Sequence, residues 1–306
     1  MKVKKISCRI MVAMACYACC SVPVYSAVSD TLYTSLKQGV TIRGLSMGSA
    51  LTGSPEGAVA LFYNPAGLAA PGAMYTYHNM DYKEARHATF YSHMFYNSPY
   101  GLANWAKKLE NGDRAEVTAL GYGRRNRNGV SWGVTYKAIN ESTAVSSQHG
   151  WSSDLGVLMN LNRNLTLGVV GQDLIGKNID GIKPSVRSGI SLFNRKRSFM
   201  FNTDVVLHNR SGEKRDVSVH YGLEYFLTDG LFVRGGWFDK HYTAGLSFEF
   251  PIIGIDYGVM VPVDREQETL YMFGFKLGKG PTKRAIRRKY ALFKHKSYAY
   301  FSLGGN

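Results

Sequence analysis

Cysteine is missing from most of this chain. All four cysteines, at Cys8, Cys16, Cys19 and Cys20, lie within the first 26 residues, so neither a disulfide framework nor a cysteine-based metal site is predicted for the remainder. Long apolar runs are missing as well, because beyond residue 26 none approaches the roughly 20 residues that a membrane-spanning helix needs. A chain of this kind can cross a membrane only as a closed β-barrel, which satisfies its own backbone hydrogen bonds in lipid.

Common catalytic and metal-binding motifs are also lacking. The chain contains no His-Glu-x-x-His pair and no Walker loop. His78, His87 and His93 lie near one another in the sequence, but their spacing matches no common zinc pattern. We therefore predict that the protein is not an enzyme and that it holds no metal or other cofactor.

The first 26 residues are predicted to be a secretory leader. The basic start MKVKK precedes an uncharged, apolar stretch over residues 10–21, and cleavage after Ser26 satisfies the need for small side chains. A retained membrane anchor is the alternative, and Pro23 weakens it. A lipoprotein start at Cys19 or Cys20 is a second alternative, but no Leu-x-Gly/Ala-Cys pattern precedes either residue.

The excess of positive charge is concentrated in the last residues. Without the leader the chain carries 33 Lys and Arg against 22 Asp and Glu, and residues 281–306 contribute seven basic residues and no acid. The remaining body is close to neutral, so nucleic-acid binding is not predicted. The tail 281–306 is either a solvated extension or a docking segment for an acidic partner or the peptidoglycan layer.

From residue 73 onward apolar and polar residues alternate. Segments of about ten residues with this alternation, separated by turns, are typical of transmembrane barrels. A soluble β-sandwich is the alternative, but the strands are long for a sandwich, and glycines and charges occupy the polar face. Aromatic residues also recur near strand ends on the apolar face, as interfacial girdles require, at Trp132, Trp151, Tyr225, Trp237 and Tyr242.

The connections between these strands alternate in length. Residues 126–129, 162–164, 194–197 and 228–230 are predicted short turns, whereas 97–116, 140–150, 176–184 and 209–216 are predicted long loops. The connection at 239–241 is short where a long loop is expected. Thirteen strands are recognisable between residues 73 and 277, and an even number is expected. The missing strand is assigned to 28–50, with 297–303 as the alternative.

Alternation also predicts which charged residues face the barrel interior. These are Lys137, Asp154, Arg187, Asp204, Glu224, Arg234, Glu249, Asp256 and Lys276. Glu224 and Arg234 lie on adjacent strands and are expected to pair. The mixture of signs argues against an ion-selective pore with a constriction of one charge. The predicted lining is mostly Gly, Ser, Thr and charge, which argues against a fatty-acid ligand.

Residues 39–72 do not alternate and are predicted to form two short helices. Ser54 followed by Pro55, and Asn64 followed by Pro65, each place a capping side chain before a proline at the first helical position. Together these helices are too short for a domain and large enough to plug a lumen.

The amino-acid sequence of this segment resembles that of a known group of barrels. The stretches RGLSMGSA, starting at Arg43, and ALFYNPAGLA, starting at Ala60, resemble the N-terminal signature of FadL-like and PorV-like outer-membrane proteins, the latter including PorQ and UPF0164-type chains. The resemblance implies a monomeric barrel of about 14 strands with a lumenal hatch. It implies that the hatch and ligand route include Arg43, Met47, Phe62, Asn64, Pro65, Ala66 and Leu68.

The resemblance leaves two functions open. A FadL-like protein passes a hydrophobic small molecule past the hatch and sideways through a strand kink, whereas a PorV-like protein accepts a protein partner. We predict an all-β transmembrane antiparallel barrel of about 14 strands (12–14), with a leader at 1–26, a plug at 27–72, a barrel at 73–280 and a tail at 281–306. The predicted location is the outer membrane, with its lipid as surroundings. A non-transporting barrel that docks a protein is the alternative function.

Overall fold

The computed structural model describes the chain from residue 39 to residue 278 with short gaps. The described residues are 39–55, 57–82, 89–109, 112–143, 147–177, 184–208, 216–228, 230–250, 252–263 and 269–278. The predicted leader and the tail 281–306 therefore lie outside them. No helix in the described ranges is long and apolar enough to cross a membrane.

Fourteen antiparallel strands form one closed barrel, in which each strand pairs with its neighbours in sequence and β1 pairs with β14. The predicted fold is confirmed. The strands are β1 (Ala73–Tyr82), β2 (Thr89–Asn97), β3 (Tyr100–Lys108), β4 (Arg114–Arg125), β5 (Val130–Ser142), β6 (Ser147–Asn160), β7 (Leu165–Lys177), β8 (Ser185–Phe193), β9 (Phe199–His208), β10 (Asp216–Thr228), β11 (Leu231–Phe238), β12 (His241–Glu249), β13 (Ile253–Pro262) and β14 (Leu270–Gly278).

The strand missing from the sequence count is β3, so both predicted locations for it were wrong. It lies inside the stretch predicted as a long loop at 97–116. Its sequence YGLANWAKK contains no β-branched residue, so residue preferences give little indication of a strand there. The segment 28–50 instead contains a helix in its described part, α1 (Ile42–Ser46).

The barrel has a short-turn rim and a long-loop rim. Connections of two to five residues join the strands at the first rim, where β1 begins and β14 ends. The opposite rim carries connections of up to seven residues. Its one two-residue connection, Asp239 and Lys240, has positive φ at both positions, as the tight type I′ hairpin requires. This explains the short connection at 239–241.

Alternation separates the two faces of the wall. Outward positions are exposed and mostly apolar, with large side chains such as Leu120, Phe248 and Phe273. Aromatic neighbours stack across strands on this face, for example Tyr221 and Trp237, whose ring centroids lie 6.0 Å apart. Contact with lipid rather than water lowers the free energy of such an apolar outer face, as in transmembrane barrels.

The plug, residues 39–72, enters the barrel as four short helical segments. These are α1, a 3-10 turn at Gly57–Val59, α2 (Ala60–Tyr63) and a second 3-10 turn at Pro65–Ala69. Thr41 caps α1 by accepting from the Gly44 amide. Asn64 caps the last turn as predicted, whereas the cap predicted at Ser54 was wrong, since no helix begins directly after it. Its hydroxyl accepts from Asn202 instead.

Candidate functional site: the plugged barrel interior

The plug is buried along nearly its whole length. Its apolar side chains Ile42, Met47, Leu51 and Leu61 have no exposed surface. Burial also raises the pKa of the Tyr63 phenol above its usual value. The plug is thus packed as the core of the barrel.

All seven predicted hatch residues lie in the plug, but they have different surroundings. Met47, Ala66 and Leu68 are buried among apolar neighbours or glycines, and Phe62 is nearly so. Asn64 and Pro65 form the turn before the last 3-10 segment, while Arg43 extends from α1 to the wall. The structure gives these positions; their role in a ligand route stays a prediction.

Glycines on the inner face let the plug backbone approach the wall. A Cβ atom on Gly133 would overlap the carbonyl of Pro65, and one on Gly156 would overlap the side chain of Asn64. Comparable close approaches recur on other strands, at Gly121, Gly123, Gly168, Gly189, Gly222, Gly236, Gly245 and Gly258. The inner glycines therefore serve a packing purpose that alternation alone does not reveal.

An ion-pair network ties α1 to β10 and β11. Arg43 contacts Glu224 through two hydrogen bonds, Nε to Oε2 at 3.0 Å and Nη2 to Oε1 at 3.2 Å. Arg234 Nε donates to the same Glu224 Oε2 at 2.6 Å, as expected from the sequence. Two arginines thus share one carboxylate, and the three side chains are 12% exposed or less.

The same network continues to β13 and β14. Arg234 donates to Ser247, which in turn donates to Asp256. Lys276 Nζ lies 3.0 Å from Asp256 Oδ1 and 2.7 Å from Glu249 Oε1. Each buried cation here has an acidic partner, which is what keeps charge tolerable inside a protein.

A second ion pair holds the middle of the plug. Asp204 Oδ2 accepts from the Thr52 amide at 3.0 Å and from its hydroxyl at 2.6 Å. Arg187 Nη2 lies 3.3 Å from the same oxygen and donates to the Ser49 carbonyl at 2.6 Å. Asn202, the inner residue two positions before Asp204, donates to the Ala50 carbonyl at 2.6 Å.

The third cluster contains a partner that the sequence did not predict. Lys137 Nζ lies 2.8 Å from Asp154 and 2.6 Å from Asp173. Asp173 sits at a register shift between β6 and β7 and has a φ of 54°, so the strict parity that located the other charges fails there. A bulge of this kind leaves no reliable sequence signal.

The remaining plug segment is held by neutral groups. Asn64 Nδ2 donates to the Val157 carbonyl at 3.1 Å and to Thr52 within the plug at 3.0 Å. Gln172 donates to the Phe62 carbonyl at 2.8 Å. Residues 41–54 thus have hydrogen bonds to charged as well as neutral side chains. In the described part of the chain, residues 57–69 have hydrogen bonds to neutral groups only, and the Arg187 guanidinium lies 5.7 Å from the centroid of the Tyr63 ring.

The inner face near the long-loop rim is apolar on one side, contrary to the lining predicted from sequence. We call this surface the apolar wall. Its residues are Met80, Trp105, Val117, Ile139, Met260 and Met272, all within three residues of the long-loop ends of β1, β3, β4, β5, β13 and β14. Met80 and Met272 are directly paired, as are Trp105 and Val117. The opposite side is mixed there, with Ser218 and His220 beside the buried Val206 and Phe238.

The plug contains the sequence motif Gly-x-Ser-x-Gly of a hydrolase nucleophile elbow, at Gly44-Leu45-Ser46-Met47-Gly48. It was not recognised from the sequence alone. Ser46 ends α1 rather than standing on a strand-to-helix turn, and its buried hydroxyl has no hydrogen-bond partner. The geometry does not support a nucleophile. No cluster of three or more His, Cys, Asp or Glu suited to a metal occurs among the described residues.

Comparison with known proteins identifies the fold but not a sequence family. No family model and no curated protein matches the chain. Among solved structures it is similar to the CymD monoaromatic hydrocarbon channel, with a TM-score of 0.55, 13% identity, and 79% of this chain and 98% of that chain covered. It is also similar to the P. putida toluene transporter TodX, with a TM-score of 0.51, 13% identity, and coverages of 79% and 99%. The chain therefore shares the fold of these two channels.

Proposed function

We propose that this protein is an outer-membrane barrel that lets a hydrophobic small molecule pass. The observation that carries the proposal is the combination of a plugged lumen with the apolar wall beside the long-loop rim, whose six side chains are at most 2% exposed and so become accessible to a solute only when the plug moves. An apolar solute gains free energy on leaving water for such a surface, whereas an ion gains nothing there. The similarity in fold to CymD and TodX, which are named as a hydrocarbon channel and a toluene transporter, supports this assignment.

Passage requires the plug to move, because its residues fill the lumen between the two rims. The segment 57–69 is the part suited to movement, since hydrogen bonds to charged groups are about twice as strong as neutral ones and it has only neutral ones in the described chain. Leu61 and Leu68 pack there against Gly101 and Gly121 of β3 and β4. The segment 41–54, held by Glu224 and Asp204, stays in place.

Two disulfide locks test this mechanism. A Cβ atom on Gly123 would lie 2.8 Å from the Cβ of Leu68, and one on Gly189 would lie 2.8 Å from the Cβ of Thr52. Both separations are about 1 Å below the usual disulfide value. The added Cβ atom would also overlap Asp204 Oδ1 at Gly189 and lie 2.7 Å from the Ala69 amide nitrogen at Gly123, so each variant is compared only with its own reduced form. The predicted mature chain has no cysteine of its own, which makes Leu68→Cys/Gly123→Cys and Thr52→Cys/Gly189→Cys clean designs.

The measurement is uptake of N-phenyl-1-naphthylamine, an apolar fluorescent molecule, into vesicles containing each variant before and after reduction. Oxidation should reduce uptake to the rate of protein-free vesicles in the Leu68 lock and leave the faster, protein-dependent uptake unchanged in the Thr52 lock. Each variant is its own control, because strain from the added side chains is present in both redox states. Equal uptake in both states of the Leu68 lock would reject movement of residues 57–69.

The alternative is a barrel that docks a protein and transports nothing. The observation in its favour is the extent of plug anchoring, which reaches β6, β7, β8, β9, β10 and β12. Uptake no faster than into protein-free vesicles, for the unmodified protein and for both reduced variants, would reject passage and favour docking.

A further inference from the structure

One side of the short-turn rim is strongly basic. Seven arginines and lysines fall at residues 124–127, 163 and 195–197. Two of them end β4 and five lie in the three turns that follow β4, β6 and β8, and these turns contain no acid. We call these residues the basic rim. The other short turns, after β2, β10 and β12, contain no Lys or Arg. Among the turns that join strands at this rim, the positive charge is therefore confined to those after β4, β6 and β8.

The three turns follow one another along the rim, and the second and third are in direct contact. Arg197 Nη2 donates to the Arg163 carbonyl, which joins the second turn to the third. The Arg197 guanidinium also lies 4.1 Å from the centroid of the Phe193 ring. Asn194 Oδ1 accepts from the Ser198 amide at 2.9 Å and closes the third turn. Arg124, Arg127 and the pair 195–196 are exposed.

We propose that the basic rim is a docking surface for an acidic protein segment. Arginine makes up six of the seven cations, and its planar fork binds carboxylates through two parallel hydrogen bonds. A cluster of one sign also raises the rate at which an oppositely charged partner arrives. Because short turns face the periplasm in such barrels, the partner is a periplasmic protein.

Charge and position argue against other occupants. Lipid headgroups surround a barrel on all sides, whereas the cations occupy three adjacent turns only. The tail 281–306 carries seven basic residues and no acid, so it is repelled by the basic rim. A second copy would bring an identical positive surface against it. An acidic polypeptide meets none of these objections.

The basic rim also lies beside the segment of the plug that we expect to move. A Cβ atom on Gly123 would lie 2.7 Å from the Ala69 amide, and Gly133 faces Pro65; both glycines are on the strands that flank the first basic turn. A partner bound here would therefore lie close to residues 65–69, at the end of the plug. This surface does not depend on whether a solute passes, so its test and that of transport are separate.

The test is binding of a fluorescent Glu-rich peptide to the full mature protein in uncharged detergent, with a Gln-rich peptide as the probe control. Arg124→Gln/Arg127→Gln/Arg195→Gln should weaken binding about tenfold at low salt. The matched variant Lys108→Gln/Lys177→Gln/Lys240→Gln removes the same charge from the long-loop rim and should change the affinity less than about twofold.

Three outcomes would overturn the proposal. Equal weakening by both triple variants would show a response to net charge alone. If removal of residues 281–306 abolished binding and the Arg triple variant bound as tightly as the unmodified protein, the site would be assigned to the tail. Binding of the Arg surface to phosphatidylglycerol vesicles or peptidoglycan fragments but not to the Glu-rich peptide would replace the protein partner by lipid or cell wall.

Discussion

Replacing Glu224 by alanine should destabilise the barrel severely. Glu224 is the shared carboxylate of Arg43 and Arg234, with nitrogen–oxygen distances of 3.0 and 2.6 Å. Removing one partner of a buried ion pair costs about 3–5 kcal/mol, because the remaining charge is left uncompensated. Here two guanidinium groups lose their partner, although Arg234 keeps Asp256 at 3.8 Å. The expected loss is therefore within that range, or between roughly a hundredfold and a few thousandfold in the unfolding equilibrium constant.

The assay is guanidinium unfolding of the refolded barrel in lipid vesicles, followed by tryptophan fluorescence. Glu116→Ala is the control. Glu116 lies on the outer face, where it pairs with Arg114 at 3.0 Å and accepts from Asn104 Nδ2 at 2.6 Å, and its loss should cost no more than about 2 kcal/mol. Arg43→Met should cost less than Glu224→Ala, and the two changes should not add, because they remove the same contact. Equal, small effects of Glu224→Ala and Glu116→Ala would show that the network is hydrated and the interior account is wrong.

Three further expectations use the same unfolding assay. Gly156→Ala should cost about 1–3 kcal/mol by overpacking against Asn64. Gly235→Ala should cost under about 1 kcal/mol, because the added Cβ atom would lie 3.8 Å from the Thr243 carbonyl oxygen; equal costs would reject close contact between plug and wall at Gly156. Asp204→Ala should cost about 3 kcal/mol or more by leaving Arg187 unpaired, and an unchanged midpoint would refute the anchor. Thr52→Val should cost only about 1 kcal/mol, since the amide bond to Asp204 remains, and a loss as large as that of Asp204→Ala would contradict this ranking.

Much of the barrel could be predicted because a strand between lipid and the barrel interior alternates apolar outward residues with inward ones. Alternation predicted thirteen of the fourteen strands, and it placed charged residues such as Asp204 and Asp256 on the inner face, where the structure has them buried. It failed at β3, where YGLANWAKK offers only a weak strand pattern, and at Asp173, where a bulge shifts the parity. Both failures have local causes that the wider pattern cannot reveal.

The interior was harder to predict than the wall. Alternation tells which face a residue is on but not how high in the barrel it lies. The sequence therefore did not show that residues such as Met80 and Met272 lie side by side, which the strand register of the structure reveals. The inner glycines are similar: their purpose depends on the path of the plug backbone past Gly133 and Gly156, which no local sequence signal encodes.

The plug closing the lumen is the central claim, and single-channel conductance in planar bilayers tests it most directly. The full mature protein should be silent, because residues 39–72 fill the barrel. A variant lacking residues 28–72 should conduct, since the inner charges of β8 to β14 would then face water. Silence of both proteins, with the truncated barrel shown to be folded, would mean that the wall side chains close the lumen by themselves and would contradict the account.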